Sequence, residues 1–230
     1  MIKSTFDLEN ELLSKGYQFV IGIDEVGRGP LAGPVVASAV ILKNQESRIM
    51  NYGIKEFDLI RDSKALSEKQ RESLFDFINE NFFVGIGICD HETIDRMNIL
   101  EASFLAMKAA ISSLKKEISN KIPNTRYQIP DTKYIILVDG NKKIPNLSMD
   151  QRAIVGGDKI VKSISAASII AKVTRDRMMK EMHEKYPEYG FNKHKGYGTK
   201  FHVDALLKNG PCKIHRKTFE PVKTLVKKGK

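Results

Sequence analysis

Apolar residues recur at helical spacing across residues 4–15, where Leu8, Leu12 and Leu13 share a face and Gly16 closes the segment. The run Phe19, Val20, Ile21 then predicts a buried strand over about 18–24. Residues 34–42 are almost unbroken Val, Ala and Ile, the pattern of a strand covered on both faces. Residues 44–61 are polar and read as loop. Ser67 with Gln70 forms a capping box that opens a helix running to about Asn81. Val84, Ile86 and Ile88 alternate with Gly85 and Gly87, predicting a third strand whose glycine side admits a close neighbour. Leu100, Phe104, Met107, Ile111 and Leu114 mark a long helix over about 98–119. After turn material at 123–131 comes a short buried strand, 134–138, ending on Asp139-Gly140-Asn141. A second short run, Ala153 to Val155, ends on Gly156-Gly157-Asp158. Helices follow at about 163–186 and 199–209, the latter closed by Gly210-Pro211. Strands first clustered, then alternating with helices, predict an α/β fold with a mixed sheet.

The chain has 230 residues and a net charge of +10. Its length suits one catalytic domain, here 1–190, followed by a small helical appendage, 191–230. That last segment holds eleven Lys or Arg against Asp204 and Glu220, so it carries nearly all of the net charge. Charge gathered at one end of a chain fits a polyanion gripped on one side. No apolar run is long enough for a transmembrane helix, and no secretory signal opens the chain. Cys89 and Cys212 are far apart without ligand spacing, so a reduced, cytoplasmic setting is expected. The chain is expected to act as a monomer.

The chemistry concentrates between Ile21 and Val35. A strand delivers Asp24 and Glu25 into Gly27-Arg28-Gly29-Pro30, where glycines allow close backbone approach and Arg28 offers a planar fork suited to phosphate. Taken singly, an Asp-Glu pair is a solvated turn and an Asp-Gly a loop cap. Jointly, Asp24, Glu25, Asp139 and Asp158 all follow apolar runs, and converging carboxylates at buried strand ends repel unless cations compensate them. An all-oxygen set favours Mg²⁺ or Mn²⁺, and two such ions about 4 Å apart suit in-line phosphoryl displacement. Lys64, Lys172 and Arg175 are candidate phosphate contacts, the last two equally readable as solvated helix charges. His194, His202 and His215 lack tight metal spacing and read as structural, and Asp176 is expected to pair with arginine.

The segment Gly22 to Val35 resembles the signature of ribonuclease HII. So do Asp62-Ser-Lys64, Val138-Asp-Gly140, Gly157-Asp158, Ala166-Ala-Ser-Ile-Ile-Ala-Lys172, His194-Lys-Gly-Tyr-Gly-Thr199, His215-Arg216 and Phe219-Glu-Pro-Val222, in family order. The resemblance implies a ribonuclease H-like mixed sheet flanked by helices. It implies an endonuclease that cuts the RNA strand of RNA–DNA hybrids and incises 5′ to ribonucleotides embedded in duplex DNA. It also implies that Asp24, Glu25, Asp139 and Asp158 are the metal-binding catalytic quartet, that Gly27, Arg28 and Gly29 sense the ribose 2′-hydroxyl, and that Tyr197 stacks on the sugar. The rivals are a ribonuclease HIII, which usually has an extra N-terminal domain and lacks the arginine, a transposase- or resolvase-like nuclease of the same fold, and a non-catalytic basic RNA-binding protein. Whether a sliding clamp is a partner stays open, with nothing in the sequence to support it.

Overall fold

The computed structural model describes residues 3–43, 55–121 and 133–229. Helix α1 (Asp7–Ser14) leads into strands β1 (Phe19–Val26) and β2 (Val35–Leu42). Helices α2 (Lys55–Leu59) and α3 (Glu68–Asn81), strand β3 (Phe82–Cys89) and helices α4 (His91–Met97) and α5 (Ile99–Lys121) follow. Strands β4 (Tyr134–Asp139) and β5 (Asp150–Ile154) complete one sheet ordered β3-β2-β1-β4-β5. Its first three strands pair antiparallel, whereas β1, β4 and β5 run parallel. After β5 come the helices α6 (Gly157–Ile160), α7 (Lys162–Lys185), α8 (Phe191–His194), α9 (Lys200–Asn209) and α10 (Val222–Lys227).

Glycines in the strands decide how closely the two long helices approach the sheet. A methyl group at Gly85 would come 2.7 Å from Leu114 Cβ, and one at Gly87 2.5 Å from the Ala110 nitrogen, so α5 lies directly on β3. On the opposite face, a methyl at Gly22 would come 2.5 Å from Ser163 Cβ, which brings α7 onto β1. The side chains around these contacts form the core: Ile21, Ile23, Ile136 and Val138 pack with α5, while Leu137 and Val20 pack with Ile164 of α7. The capping box at Ser67 and Gln70 has both of its hydrogen bonds.

Two short helices depart from the sequence reading. Within the expected 44–61 loop, Lys55–Leu59 is helical, and its one buried side chain, Phe57, meets the Phe77 ring edge-on at 4.9 Å. Helix α4 is capped by Asp90, which accepts the Thr93 N–H, and buries only Ile94. One apolar anchor per helix leaves too little periodicity to read. The 123–131 turn lies outside the described residues, and the second short run is displaced, with β5 ending at Ile154 and Val155 exposed.

The basic last forty residues close over the glycine-rich turn between β1 and β2. Leu31 and Ala32 pack among Met179, Tyr189, Phe191, Leu206 and Val222. The backbone stitches the same contact: Leu31 N–H donates to Gly196 O and Gly33 N–H to Ile214 O. No helix among the described residues is long and apolar enough to cross a membrane.

Candidate active site

The pairing of β1 with β4 builds the centre of the site. Ile23 stands opposite Val138. One residue further in each parallel strand, Asp24 and Asp139 sit side by side on the face toward α7, because paired residues of parallel strands share a face. Asp158 arrives differently from its expected place at a strand end. It lies in the first turn of α6, and its N–H donates to Asp139 Oδ1 at 3.2 Å. Ser165 Oγ fixes this turn by donating to Asp158 O at 2.8 Å. Glu25 leaves β1 on the other side and accepts from Arg28 at 3.2 Å. Between them and α5 is a cavity of about 110 Å³ that also involves Ser103, Asp139 and Asn141.

The electrostatics are those of negative charges gathered with only partial compensation. Asp24 is 6% exposed. Burial, then the charges of Glu25 and Asp139, raise its carboxyl well above the usual range, against hydrogen bonds from the Ser168 hydroxyl and the Glu25 N–H. Burial also raises Glu25, with Arg28 pulling the other way. Burial, Asp139 and Asp62 raise Asp158, opposed by Lys64 at 3.8 Å. Burial works against the charge of Lys64, yet Asp158, Asp24, Asp62 and Asp139 outweigh it and raise its ammonium. Among the described residues no three Asp, Glu, His or Cys side chains are placed so as to hold a metal ion together. Each carboxylate instead leans on a donor of the protein: Glu25 N–H for Asp24, Arg28 for Glu25, Asp158 N–H for Asp139, Lys64 for Asp158. Such an oxygen-only, mutually repelling set fits hard divalent cations.

The glycine turn differs from the sequence reading in what its glycines admit. A methyl at Gly27 would strike Arg175 Cδ and Pro34 O, both at 2.7 Å, and one at Gly33 would strike Met179. These two glycines make room for the protein's own side chains. Gly29 and Arg28 are exposed, and the nearest atom to a methyl at Gly29 would be Tyr197 Cε1 at 3.8 Å. Gly29 and the Tyr197 ring, 41% exposed, therefore lie next to one another at the surface.

Arg175 is a correction. It is 0% exposed, so it cannot meet a phosphate at the surface. It donates to Pro34 O, Lys195 O and Ala32 O at 2.9, 2.9 and 3.1 Å. Lys172, the other helix cation, pairs with Asp176 at 2.8 Å. Asp176 does meet an arginine, but the longer-range Arg71 of α3 at 3.8 Å, with Lys172 the closer partner. The sequence reading missed Arg216 and Ser168. Arg216 was part of a quoted motif with no role attached; Ser168 sits one turn from Lys172 and hydrogen-bonds Ser63 at 2.9 Å.

All three histidines bond to backbone, and the protons of His202 and His215 can be ordered. The Cys212 N–H donates to His215 Nδ1 at 2.9 Å, leaving His215 Nε2–H to donate to His202 Nε2 at 3.0 Å. His202 Nδ1–H then donates to Tyr197 O at 2.9 Å. Burial pushes His202 down to about 4 and His215 down to about 3, so both are neutral at pH 7. In the unfolded chain they protonate near pH 6.5. Their contribution to stability is therefore complete above about pH 6.5 and is lost as the pH falls toward 4, at up to about 1.4 kcal/mol per pH unit for each ring. Urea unfolding at pH 7.5 and pH 5 should show this loss, with a shallower pH slope for His215→Asn. An unchanged slope would contradict the neutral pair.

The family model for ribonuclease HII matches residues 21–222. The chain is 49% identical to a ribonuclease HII of Caldicellulosiruptor bescii, over 93% of this chain and 92% of that one. It is 51% identical to a ribonuclease HII of Fusobacterium nucleatum, over 88% and 86%. Among solved structures, ribonuclease H2 from Pyrococcus horikoshii superposes with a TM-score of 0.63 at 25% identity, covering 92% of this chain and 98% of that one. The ribonuclease HIII designated Bst shares the fold at a TM-score of 0.64 and 17% identity, covering 94% and 71%.

Proposed function

The chain belongs to the ribonuclease HII family and is an endonuclease of the ribonuclease H type, and on that premise we propose that it hydrolyses the RNA strand of RNA–DNA hybrids and incises 5′ to ribonucleotides embedded in duplex DNA, leaving a 3′-hydroxyl and a 5′-phosphate. The observation that carries this reading is the juxtaposition of two elements. A carboxylate group centred on buried Asp24 and half-buried Asp139 lies a few residues from an exposed Gly29 beside Tyr197. One element suits phosphodiester chemistry; the other suits recognition of a sugar.

Asp24, Glu25, Asp139 and Asp158 would hold Mg²⁺ or Mn²⁺, two ions being expected. Bound there, such ions supply an activated water and neutralise charge developing on the phosphoryl oxygens. The chain's own residues do the rest. Lys64 tempers the charge of Asp158 and stands ready beside the scissile phosphate. Ser168 and the Glu25 N–H orient the Asp24 carboxylate. The backbone at Arg28 and Gly29 reads the 2′-hydroxyl, the one group that separates RNA from DNA at a given sugar. A deoxyribose leaves those polar groups unpaired, which penalises DNA. Tyr197 offers its exposed ring to the adjoining sugar, and the basic 191–230 segment supplies phosphate contacts along the duplex. The presence of Arg28 in the turn favours this reading over a ribonuclease HIII-like one.

Asp139→Asn should abolish turnover while binding of an RNA–DNA hybrid, followed by fluorescence anisotropy, is retained. Retained turnover would refute the assignment. Arg28→Ala should leave cleavage measurable but erode the preference for a ribonucleotide by about tenfold, since it removes the charge-assisted hydrogen bond to Glu25 that ties the turn to the carboxylates, worth roughly 1.5 kcal/mol. Rates on matched ribonucleotide and all-DNA duplexes check this.

A further inference from the structure

Two arginines, 175 and 216, are each 0% exposed, and their partners are carbonyl oxygens rather than carboxylates. Arg216 donates to Arg28 O at 2.9 Å, to Gly27 O at 2.6 Å and to Gly33 O at 2.9 and 3.0 Å. Its backbone N–H takes Leu31 O at 2.8 Å. Arg175 takes Ala32 O and Pro34 O from the same turn, and Lys195 O from the loop that carries Tyr197. The guanidinium of Arg175 is also 6.0 Å from the Tyr197 ring centre, and that of Arg216 lies 5.0 Å from the Phe219 ring.

A consequence follows from peptide geometry. In a planar trans peptide the C=O of one residue and the N–H of the next point in opposite directions. Arg216 pulls the Gly27 and Arg28 carbonyls inward, so the N–H groups of Arg28 and Gly29 point outward. Both residues are exposed, and among the described residues neither N–H donates to a backbone acceptor of the protein. Two adjacent outward N–H groups over buried positive charge form a small anion- and hydroxyl-seeking cradle.

We propose that Arg175 and Arg216 are positioning residues for ribose selection. Arg216 aims the Arg28 and Gly29 N–H groups at the sugar edge, and Arg175 holds that turn at a fixed distance from Tyr197. This rests on the functional reading above and adds to it how the selecting groups are held. The planar fork matters because its five donors are spread over three nitrogens, whereas a lysine presents three donors from a single nitrogen and reaches fewer of these carbonyls. Burial lowers Arg175 to about 10 and Arg216 to about 9, so each remains charged at neutral pH.

The test compares wild type with Arg175→Lys and Arg216→Lys on a duplex containing one ribonucleotide, and measures affinity for the all-DNA twin in parallel. Folding is followed by circular dichroism and thermal melting. The expected result is a kcat/KM on the ribonucleotide duplex reduced by about 100-fold or more in folded variant, with all-DNA affinity within about twofold of wild type. A purely structural role predicts a lower melting temperature with kcat/KM of the folded enzyme intact, and that result overturns the inference. Wild-type enzyme that leaves the ribonucleotide duplex uncut overturns the functional reading instead.

If either variant fails to fold, the Nε–H resonances of the two arginines in wild-type enzyme carry the test, with divalent metal chelated. They should shift on addition of the ribonucleotide duplex and stay in place with its all-DNA twin. An identical response to both duplexes overturns the inference.

Discussion

Asp24→Asn eliminates turnover, by at least about 10³-fold, and at the same time raises the melting temperature of the metal-free protein. The two effects share one cause. Asp24 is buried beside Glu25 and Asp139, and its charged form is disfavoured first by burial and then by those neighbours. Asparagine keeps the shape and removes the charge, so the repulsion held in the metal-free fold is relieved. Relief of about 1 kcal/mol corresponds to a rise of roughly 2–4 °C in a protein of this size. Mg²⁺ reverses the order: it should stabilise wild type strongly and the variant weakly, because binding to the folded form alone shifts stability by mass action. Melting curves in EDTA and in Mg²⁺ check both halves. A variant less stable than wild type in EDTA would mean that Asp24 is compensated inside the fold, and the metal argument would lose its physical basis.

Gly22→Ala carries the second large effect, on stability and activity together. The added methyl would come 2.5 Å from Ser163 Cβ and closer still to the Ser163 backbone, at the start of α7. Backbone cannot yield as the end of a flexible side chain can, so β1 and α7 must separate. Overpacking of this kind costs about 3 kcal/mol, a fall of roughly 10 °C in melting temperature. Separation also draws Ser168 away from Asp24, two residues along β1 from the substitution. Activity measured well below the melting temperature should therefore fall by tenfold or so. Differential scanning calorimetry with single-turnover kinetics separates the two effects. Full activity in a destabilised variant would show that the β1–α7 spacing matters to the fold alone.

How much could be read from the sequence depended on how local its causes were. β1 and β4 were legible because an apolar run handing over an acidic residue is visible within ten positions. Their adjacency placed Asp24 beside Asp139 through register alone. The capping box at Ser67 was legible for the same reason, its two partners being three residues apart. Asp158 reads from the sequence as the end of a strand, but it lies in a helical turn, since Gly156-Gly157 reads equally as a loop.

The buried arginines were not legible. Arg175 stands in a helix rich in charge, and its carbonyl partners at 32 and 34 lie more than 140 residues away. Arg216 sits in a basic run where a solvated cation is the natural expectation. The glycine turn carried the opposite error. Counting glycines suggested backbone open to ligand along its length, whereas Gly27 and Gly33 are filled by Arg175 and Met179, and only Gly29 faces outward. A single chain records that a side chain is absent and leaves unsaid what occupies the space.

The most direct measurement uses a short DNA duplex with one ribonucleotide and its all-DNA twin, each incubated with Mg²⁺ and with EDTA, the products being resolved beside markers of defined ends. The account predicts a single incision on the 5′ side of the ribonucleotide, with a 3′-hydroxyl and a 5′-phosphate, seen only with Mg²⁺, and an intact twin. Cleavage that persists in EDTA, or equal cutting of the all-DNA duplex, would contradict it.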